Sequence, residues 1–254
     1  QLFASVFQTA SVVIISHAGQ SIEAKEARQY EEGKRKPSVF SLEEQIQGKL
    51  DFLKSDFFRQ MKSSTITLIG HSIGSYIAIN VLDRCEKQMQ QRIDKVICLM
   101  PTLHTLRPGL APIVRIAIRK GFLPIFGMIG HHLISKDYLK EALKEKSDDQ
   151  AIQQEILSHF HREIIHNILY MARTEERQVK KLQAAMISKH IDKVVMLFSP
   201  IDQYTPEKHV QTIKNKLPPS ANINYTTDDI DHAFILQGKS SQKVVEFVVN
   251  VCKK

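Results

Sequence analysis

The pentapeptide Gly70-His71-Ser72-Ile73-Gly74 has the G-x-S-x-G pattern that often carries a nucleophilic serine. The pattern alone arises by chance, but here it directly follows an apolar β-branched run at residues 65–69 and precedes a helical pattern at residues 73–85. A serine at such a strand-to-helix turn is exposed and strained, and the flanking glycines let the backbone turn sharply and keep the helix close. The alternative is an ordinary glycine-rich turn.

A serine hydroxyl becomes a useful nucleophile when a base removes its proton and an acid orients that base. Two downstream residues fit these roles. Asp202 follows the apolar run at residues 194–198, and His232 follows a weaker β pattern at residues 222–226. The order Ser72, Asp202, His232, each beyond the carboxyl end of a different predicted strand, is that of an α/β-hydrolase triad.

The acid has competing interpretations. Asp202 could instead cap a helix that starts near Pro206, although the distance along the chain makes this less favourable. Three other carboxylates lie next to His232 in the sequence: Asp228, Asp229 and Asp231. Their proximity makes it hard for them to reach the far side of the imidazole, so the interpretation favours Asp202.

The histidines do not predict a metal site. His161, Glu163 and His166 resemble H-E-x-x-H, but histidines five residues apart point about 140° apart on a helix. His71 flanks the nucleophile and could influence the site, although a structural role is favoured. No Walker motif occurs, and no G-x-G-x-x-G follows a strand, so we expect neither a nucleotide cofactor nor a metal.

The rest of the chain predicts the sheet that must position these residues. Short β-branched runs typical of buried strands occur at residues 11–16, 65–69, 95–100, 194–198 and, more weakly, 222–226. Helical patterns between or after them occupy residues 42–57, 73–85, 206–217 and 242–251. This alternation predicts a mostly parallel, doubly wound α/β sheet.

One predicted helix has a well-defined apolar face. Ser41 and Glu44 form a capping box at its start. Apolar side chains then recur every three or four residues, which predicts that they share one buried face: Leu42, Ile46, Leu50, Leu53 and Phe57.

More than ninety residues separate the strands predicted at residues 95–100 and 194–198, too many for a single crossover. Residues 137–185 within this interval show helical spacing of apolar side chains, which predicts an inserted helical cap. We therefore predict three segments: an N-terminal part of the core at residues 1–100, a partly hydrophobic helical cap at residues 101–190, and a C-terminal part of the core at residues 191–254.

The composition describes a globular chain of 254 residues with a net charge of +8, 43% hydrophobic residues and three widely spaced cysteines. Disorder and a disulfide scaffold are excluded. No acidic residue occurs between Lys95 and Lys136, and the stretch from Pro108 to Ile134 is apolar with interspersed basic residues. This pattern indicates shallow contact with a phospholipid surface or a buried pair of cap helices, and it is not typical of a nucleic-acid surface.

Four segments resemble the lipid-droplet-associated hydrolase family: Val13-Ile14-Ile15-Ser16-His17-Ala18-Gly19, the stretch from Leu68 to Tyr76, Met100-Pro101-Thr102, and Asp231-His232-Ala233-Phe234-Ile235. The resemblance implies an α/β-hydrolase fold with Ser72 as nucleophile, Asp202 as orienting acid and His232 as general base. It further implies lipid esters, cholesteryl esters among them, as substrates. It also implies association with lipid droplets and the cytosolic face of the endoplasmic reticulum.

The sequence departs from the family at its start. Family members carry a Gly-Asn-Pro-Gly loop that donates one oxyanion N–H, whereas this chain opens on Gln1 without that loop. We therefore expect the first strands of the sheet to be missing and the backbone N–H of Ile73 to be the remaining oxyanion donor. Loss of one such donor costs about 10²–10³ in turnover, so a weak enzyme is expected.

The sequence thus predicts a serine hydrolase that acts on lipid esters at a droplet surface through an acyl-enzyme, without a cofactor. Two alternatives stay open. One is a droplet-binding or scaffolding protein of hydrolase fold with little catalysis, and the other is an acyltransferase that uses the same three residues.

Overall fold

The computed structural model describes residues 10–20, 39–61, 65–104, 136–147, 149–159 and 161–253. The chain divides into two compact units. The first, called the sheet unit, comprises Leu42–Leu110 and Glu175–His232. The second comprises Gln1–Ser41, Ala111–Thr174 and Ala233–Lys254. The three-segment division expected from the sequence stays a prediction.

The described elements follow one another as α1 Leu42–Lys54, α2 Asp56–Arg59, β1 Ile66–His71, α3 Ile73–Arg84, α4 Lys87–Arg92, β2 Ile93–Leu99, α5 Lys136–Lys146, α6 Gln150–Ser158, α7 Arg162–Gln178, α8 Ala184–Lys189, β3 Val194–Phe198, α9 Glu207–Lys216, β4 Asn222–Tyr225, a 3₁₀ helix at Phe234–Leu236, and α10 Gly238–Cys252.

The four strands form one parallel sheet in the order β1-β2-β3-β4. Every residue of β3 is buried, as expected for a parallel strand that is covered on both faces. The parallel α/β sheet predicted from the sequence is confirmed. Its geometry brings the carboxyl ends of all four strands to one edge, where side chains from distant parts of the chain can meet.

Helix α3 holds the turn that joins β1 to α3 in place. Eight consecutive residues of α3, from Ser75 to Leu82, are buried. The helix packs against β1 and β2, and α1 packs against α3. Burial of this much apolar surface anchors the amino end of α3, and therefore Ser72, to the sheet.

The apolar face predicted for α1 is correct except at its end. Leu42, Ile46, Leu50 and Leu53 are buried, but Phe57 is 59% exposed, whereas Phe58 is only 7% exposed. The helix is interrupted at Ser55, whose hydroxyl accepts the backbone N–H of Phe58 and begins α2. This cap shifts the helical phase, so Phe58 takes the buried place that the spacing assigned to Phe57.

The strand predicted at residues 11–16 is wrong. These residues are irregular and belong to no strand of the described sheet, and the side chain of Ile14 is 84% exposed. A β-branched run favours an extended backbone, but it becomes a strand only when neighbouring chains pair with it and cover its side chains.

Helices occupy much of the interval in which the sequence predicts a cap: α5, α6, α7 and α8. The stretch from Pro108 to Ile134, where membrane contact is predicted, lies outside the described residues. Within the described ranges, no helix has the length and hydrophobicity needed to span a bilayer.

Candidate active site

Ser72 occupies the tight turn between β1 and α3 with φ 53° and ψ −122°. A non-glycine residue in this region of backbone space is strained, and it persists only where its surroundings enforce it. Gly70 permits the turn because a Cβ atom there would lie 2.4 Å from the carbonyl of Gly74. Gly74 itself faces open space, so only the first glycine is required for the close approach expected from the sequence.

The structure brings together the three residues that the sequence predicted as a triad. His232 Nε2 lies 2.9 Å from Ser72 Oγ, and His232 Nδ1 lies 2.8 Å from Asp202 Oδ2. All three belong to the sheet unit and follow β1, β3 and β4 at the carboxyl edge of the sheet. Both distances are within hydrogen-bond range, as the chemistry of a nucleophile, a base and an orienting acid requires.

Asp202 is held by the loop that follows it. The residue is 2% exposed, and Oδ1 accepts the backbone N–H groups of Tyr204 at 2.8 Å and Thr205 at 3.3 Å. Oδ2 accepts the hydroxyl of Thr205 at 2.5 Å as well as His232. Burial alone would raise the pKa of Asp202, but the hydrogen bonds from His232 and Thr205 outweigh it and hold that pKa below its ordinary value.

The geometry favours Asp202 over the competing carboxylates. Helix α9 is preceded by Pro206 without a side-chain cap, so Asp202 does not cap it. The carboxylate that contacts Nδ1 of His232 is that of Asp202. Asp228 and Asp229, two of the rival residues, are exposed.

The contacts determine where the protons of the site lie. An ionised Asp202 can only accept, so Nδ1 of His232 carries the proton and Nε2 offers its lone pair. The Ser72 hydroxyl must then donate to Nε2. This is the tautomer in which a histidine can remove a serine proton.

Two aromatic rings, those of His71 and Tyr204, lie close to the imidazole of His232. The ring centroid of His71 lies 4.9 Å away and that of Tyr204 lies 4.6 Å away. The pKa of His71 is lowered to about 4, mainly because the residue is buried and secondly because of the nearby His232. His71 is therefore neutral at neutral pH. The sequence analysis favours a structural role for His71 over an influence on the site, and it does not predict the contact with His232.

Two threonines at the site were also missed by sequence reasoning. Thr205 holds the carboxylate of Asp202, and Thr102 Oγ1 lies 3.2 Å from Ser72 Oγ. Neither residue belongs to a periodic pattern. Position was one available signal, since Thr205 lies three residues after Asp202 and Thr102 lies three residues beyond the end of β2. Thr102 also stands in the segment Met100-Pro101-Thr102, which resembles the family, but that resemblance assigned it no role.

Ile73, the predicted oxyanion donor, is the first residue of α3 and directly follows Ser72. The first N–H groups of a helix have no intrahelical acceptor, and the helix dipole favours negative charge at this end. The N–H of Ile73 is therefore chemically suited to bind a developing oxyanion.

The described residues contain no group of three or more His, Cys, Asp or Glu side chains that could hold a metal ion. His161 lies before the start of α7, whereas His166 lies within it. The zincin-like spacing of the sequence therefore does not place both histidines on one helix.

Comparison with known proteins gives a consistent family and fold. The sequence model of the lipid-droplet associated hydrolases matches residues 1–235. A lipid droplet-associated hydrolase of Dictyostelium discoideum is 30% identical over 217 residues, which span 80% of this chain and 69% of that protein. The Homo sapiens protein of the same name is 26% identical over 236 residues, which span 87% of this chain and 69% of that protein.

Two solved structures show the same fold at low identity. A thermophilic esterase from Thermogutta terrifontis superposes with a TM-score of 0.63 at 12% identity, covering 99% of this chain and 83% of its own. An esterase from Exiguobacterium antarcticum gives a TM-score of 0.59 at 14% identity, covering 94% of this chain and 80% of its own. Together with the family match, these findings show that the chain belongs to the lipid-droplet-associated hydrolase family and has the α/β-hydrolase fold.

Proposed function

We propose that this hydrolase is a serine carboxylic ester hydrolase that acts on lipid esters through Ser72, His232 and Asp202. The observation that carries the proposal is the continuous hydrogen-bonded chain from Asp202 through His232 to Ser72. The strained backbone of Ser72 supports the same assignment, because strain of this kind accumulates where a side chain must be presented to a substrate.

Acylation begins when His232 Nε2 takes the hydroxyl proton of Ser72 and the oxygen attacks the ester carbonyl. The N–H of Ile73 donates to the oxyanion that forms. When the tetrahedral intermediate collapses, the bond to the alcohol oxygen breaks, and the imidazolium of His232 returns its proton to that leaving oxygen. The acyl group is then esterified to Ser72.

Deacylation repeats these steps with water. His232 takes a proton from the water molecule as its oxygen attacks the acyl carbon, and the second intermediate collapses by breaking the bond to Ser72 Oγ. The proton held by His232 returns to Ser72, and a carboxylic acid leaves. Asp202 stays ionised throughout and stabilises the imidazolium, helped by the three hydrogen bonds from Tyr204 and Thr205.

We place this activity at the surface of lipid droplets and at the cytosolic face of the endoplasmic reticulum, with cholesteryl esters among the substrates. The name shared by the relatives supports a droplet location. The apolar, acid-free stretch from Pro108 to Ile134 supports contact with a phospholipid monolayer, because its basic side chains can extend to head groups while the apolar ones insert.

Labelling with a fluorophosphonate tests the nucleophile. The purified protein should be labelled at Ser72, identified by mass spectrometry of the modified peptide. The variant Ser72→Ala should lose the label, whereas the control Ser220→Ala, at an exposed serine, should keep it. Labelling that survives Ser72→Ala would refute the assignment of the nucleophile.

Product analysis separates hydrolysis from acyl transfer, which uses the same residues. A cholesteryl ester is presented in an artificial droplet together with an excess of a second alcohol. Release of free fatty acid supports hydrolysis, and formation of the new ester supports an acyltransferase. Droplet binding that Ser72→Ala leaves intact, without either product from the unmodified protein, would favour the scaffolding alternative.

A further inference from the structure

Thr102 makes two contacts with the same residue, Ser72. Its backbone N–H donates to the carbonyl oxygen of Ser72 at 3.2 Å, and its Oγ1 atom lies 3.2 Å from Ser72 Oγ. The residue is 2% exposed, so water does not compete freely for its hydroxyl. A threonine that serves only to pack would not need its hydroxyl beside the attacking oxygen.

The loop after β2 is shaped to make these contacts. Ser72 N–H donates to Leu99 O at 3.0 Å, so the turn is held at both its N–H and its carbonyl by this loop. Met100 then takes φ 44°, and its N–H donates to Leu197 O at 2.7 Å. Positive φ is unfavourable for methionine and requires surroundings that enforce it. The loop that contains this strained residue holds Thr102 in contact with Ser72.

The direction of the hydrogen bond between the two hydroxyls follows from the rest of the site. Ser72 has one hydroxyl proton, and that proton is committed to Nε2 of His232. Ser72 Oγ can therefore only accept from Thr102, whose hydroxyl is the donor.

We propose that Thr102 is a catalytic hydrogen-bond donor to the oxygen of the nucleophile. The proposal rests on the proposed function of Ser72. During acylation, Oγ transfers its proton to His232 while it bonds to the acyl carbon, and the Thr102 hydroxyl stabilises the negative charge that develops on Oγ. During deacylation, the bond between Oγ and the acyl carbon breaks, its electron pair returns to Oγ, and Thr102 again stabilises that charge until His232 supplies the proton.

The test compares Thr102→Val, which removes the hydroxyl but keeps the backbone N–H and the branched shape, with Thr102→Ser, which keeps the hydroxyl. The rate of Ser72 labelling by a fluorophosphonate measures attack, and stopped-flow release from a p-nitrophenyl ester separates acylation from deacylation. A hydrogen bond to a charged group predicts that Thr102→Val slows both steps by about 10- to 100-fold with little change in KM. Thr102→Ser should restore most of the rate.

The outcomes separate this proposal from the proposed function. If the unmodified protein is not labelled at Ser72, the proposed function itself fails. If Ser72 is labelled and Thr102→Val reacts as fast as the unmodified protein, or Thr102→Ser is as slow as Thr102→Val, the role of Thr102 is overturned while the triad stands. Thermal melting checks that the variants fold, and Thr102→Ala compared with Thr102→Ser gives the same contrast if Thr102→Val does not.

Discussion

Gly70 and Gly74 approach so closely that a Cβ atom on Gly70 would lie 2.4 Å from the carbonyl carbon and oxygen of Gly74. Gly70→Ala must therefore push the first turn of α3 away from β1. We expect the free energy of unfolding to fall by about 1–3 kcal/mol, the usual cost of overpacking. Because Ser72 lies within this turn, its labelling rate should fall by about 100-fold. Urea unfolding and fluorophosphonate labelling measure the two effects.

Gly74→Ala is the matched control. A Cβ atom at Gly74 meets nothing within 4 Å, and the residue lies within α3, where alanine favours the helix by up to about 1 kcal/mol. The substitution should leave labelling intact and raise the free energy of unfolding. A loss of stability at Gly74 equal to that at Gly70 would contradict this account of the turn.

Asp202→Asn should leave the fold intact but remove most of the activity. An asparagine at this position can donate to Nδ1 of His232, which favours the tautomer whose Nε2 carries the proton and cannot accept from Ser72. By comparison with serine triads in general, kcat should fall by about 10⁴-fold. The control Asp229→Asn, an exposed rival acid beside the same histidine, should keep its activity. Equal losses in the two variants would exclude Asp202 as the orienting acid.

His71 should make stability depend on pH. The pKa of His71 is about 4 in the folded protein and 6.5 ordinarily. Between pH 4 and pH 6.5, this histidine is therefore protonated in the unfolded chain but neutral in the folded protein. The free energy of unfolding should therefore fall by about 3 kcal/mol as the pH drops from 6.5 to 4. Urea unfolding at pH 7 and pH 4.5 should show a smaller fall in the free energy of unfolding for His71→Gln than for the unmodified protein, and equal falls in the two proteins would contradict the prediction.

Glu175 should make the free energy of unfolding depend on pH in the opposite direction from His71. The residue is 7% exposed, and burial raises the pKa of its carboxyl from 4.5 to about 7. The folded protein therefore holds a proton that the unfolded chain releases, so stability falls as pH rises from 4.5 to 7. Glu175→Gln should raise the free energy of unfolding by about 3 kcal/mol at pH 8 and leave it nearly unchanged at pH 4.5.

The exposed residue Glu145, on α5, provides the control for Glu175. Glu145→Gln should change the free energy of unfolding little at either pH. If the gain from Glu175→Gln is the same at pH 4.5 and pH 8, the substitution acts through packing or propensity rather than through the charge of a buried carboxylate.

The sheet and the relative placement of Ser72, Asp202 and His232 could be predicted because their signals are local. Continuous apolar runs mark β1 to β3, and the carboxyl ends of parallel strands share one edge. A residue that directly follows such a run is therefore close to the others, whatever the length of the intervening chain. The boundaries of β3 were predicted to the residue.

The misses concern features that depend on distant neighbours. Thr102 contacts Ser72 from a loop in which Met100 adopts a positive φ, and no property of methionine in a sequence indicates such a conformation. The run at residues 11–16 has strand propensity, but propensity does not supply a pairing partner. At Ser55, the spacing of apolar residues continued across a cap that ends one helix and begins another.

The pairing of β2 with β3 aligns Val96 with Val194, so roughly a hundred residues of chain must close into a loop before the two strands meet. Parallel contacts between segments so far apart form slowly during folding. Asp202 follows β3, whereas Ser72 is hydrogen-bonded to the end of β2, so the hydrogen-bonded chain of Ser72, His232 and Asp202 forms only after this pairing. In refolding from urea, the helical circular dichroism should therefore recover before Ser72 becomes reactive toward a fluorophosphonate. The rate at which labelling recovers then measures how fast β2 pairs with β3.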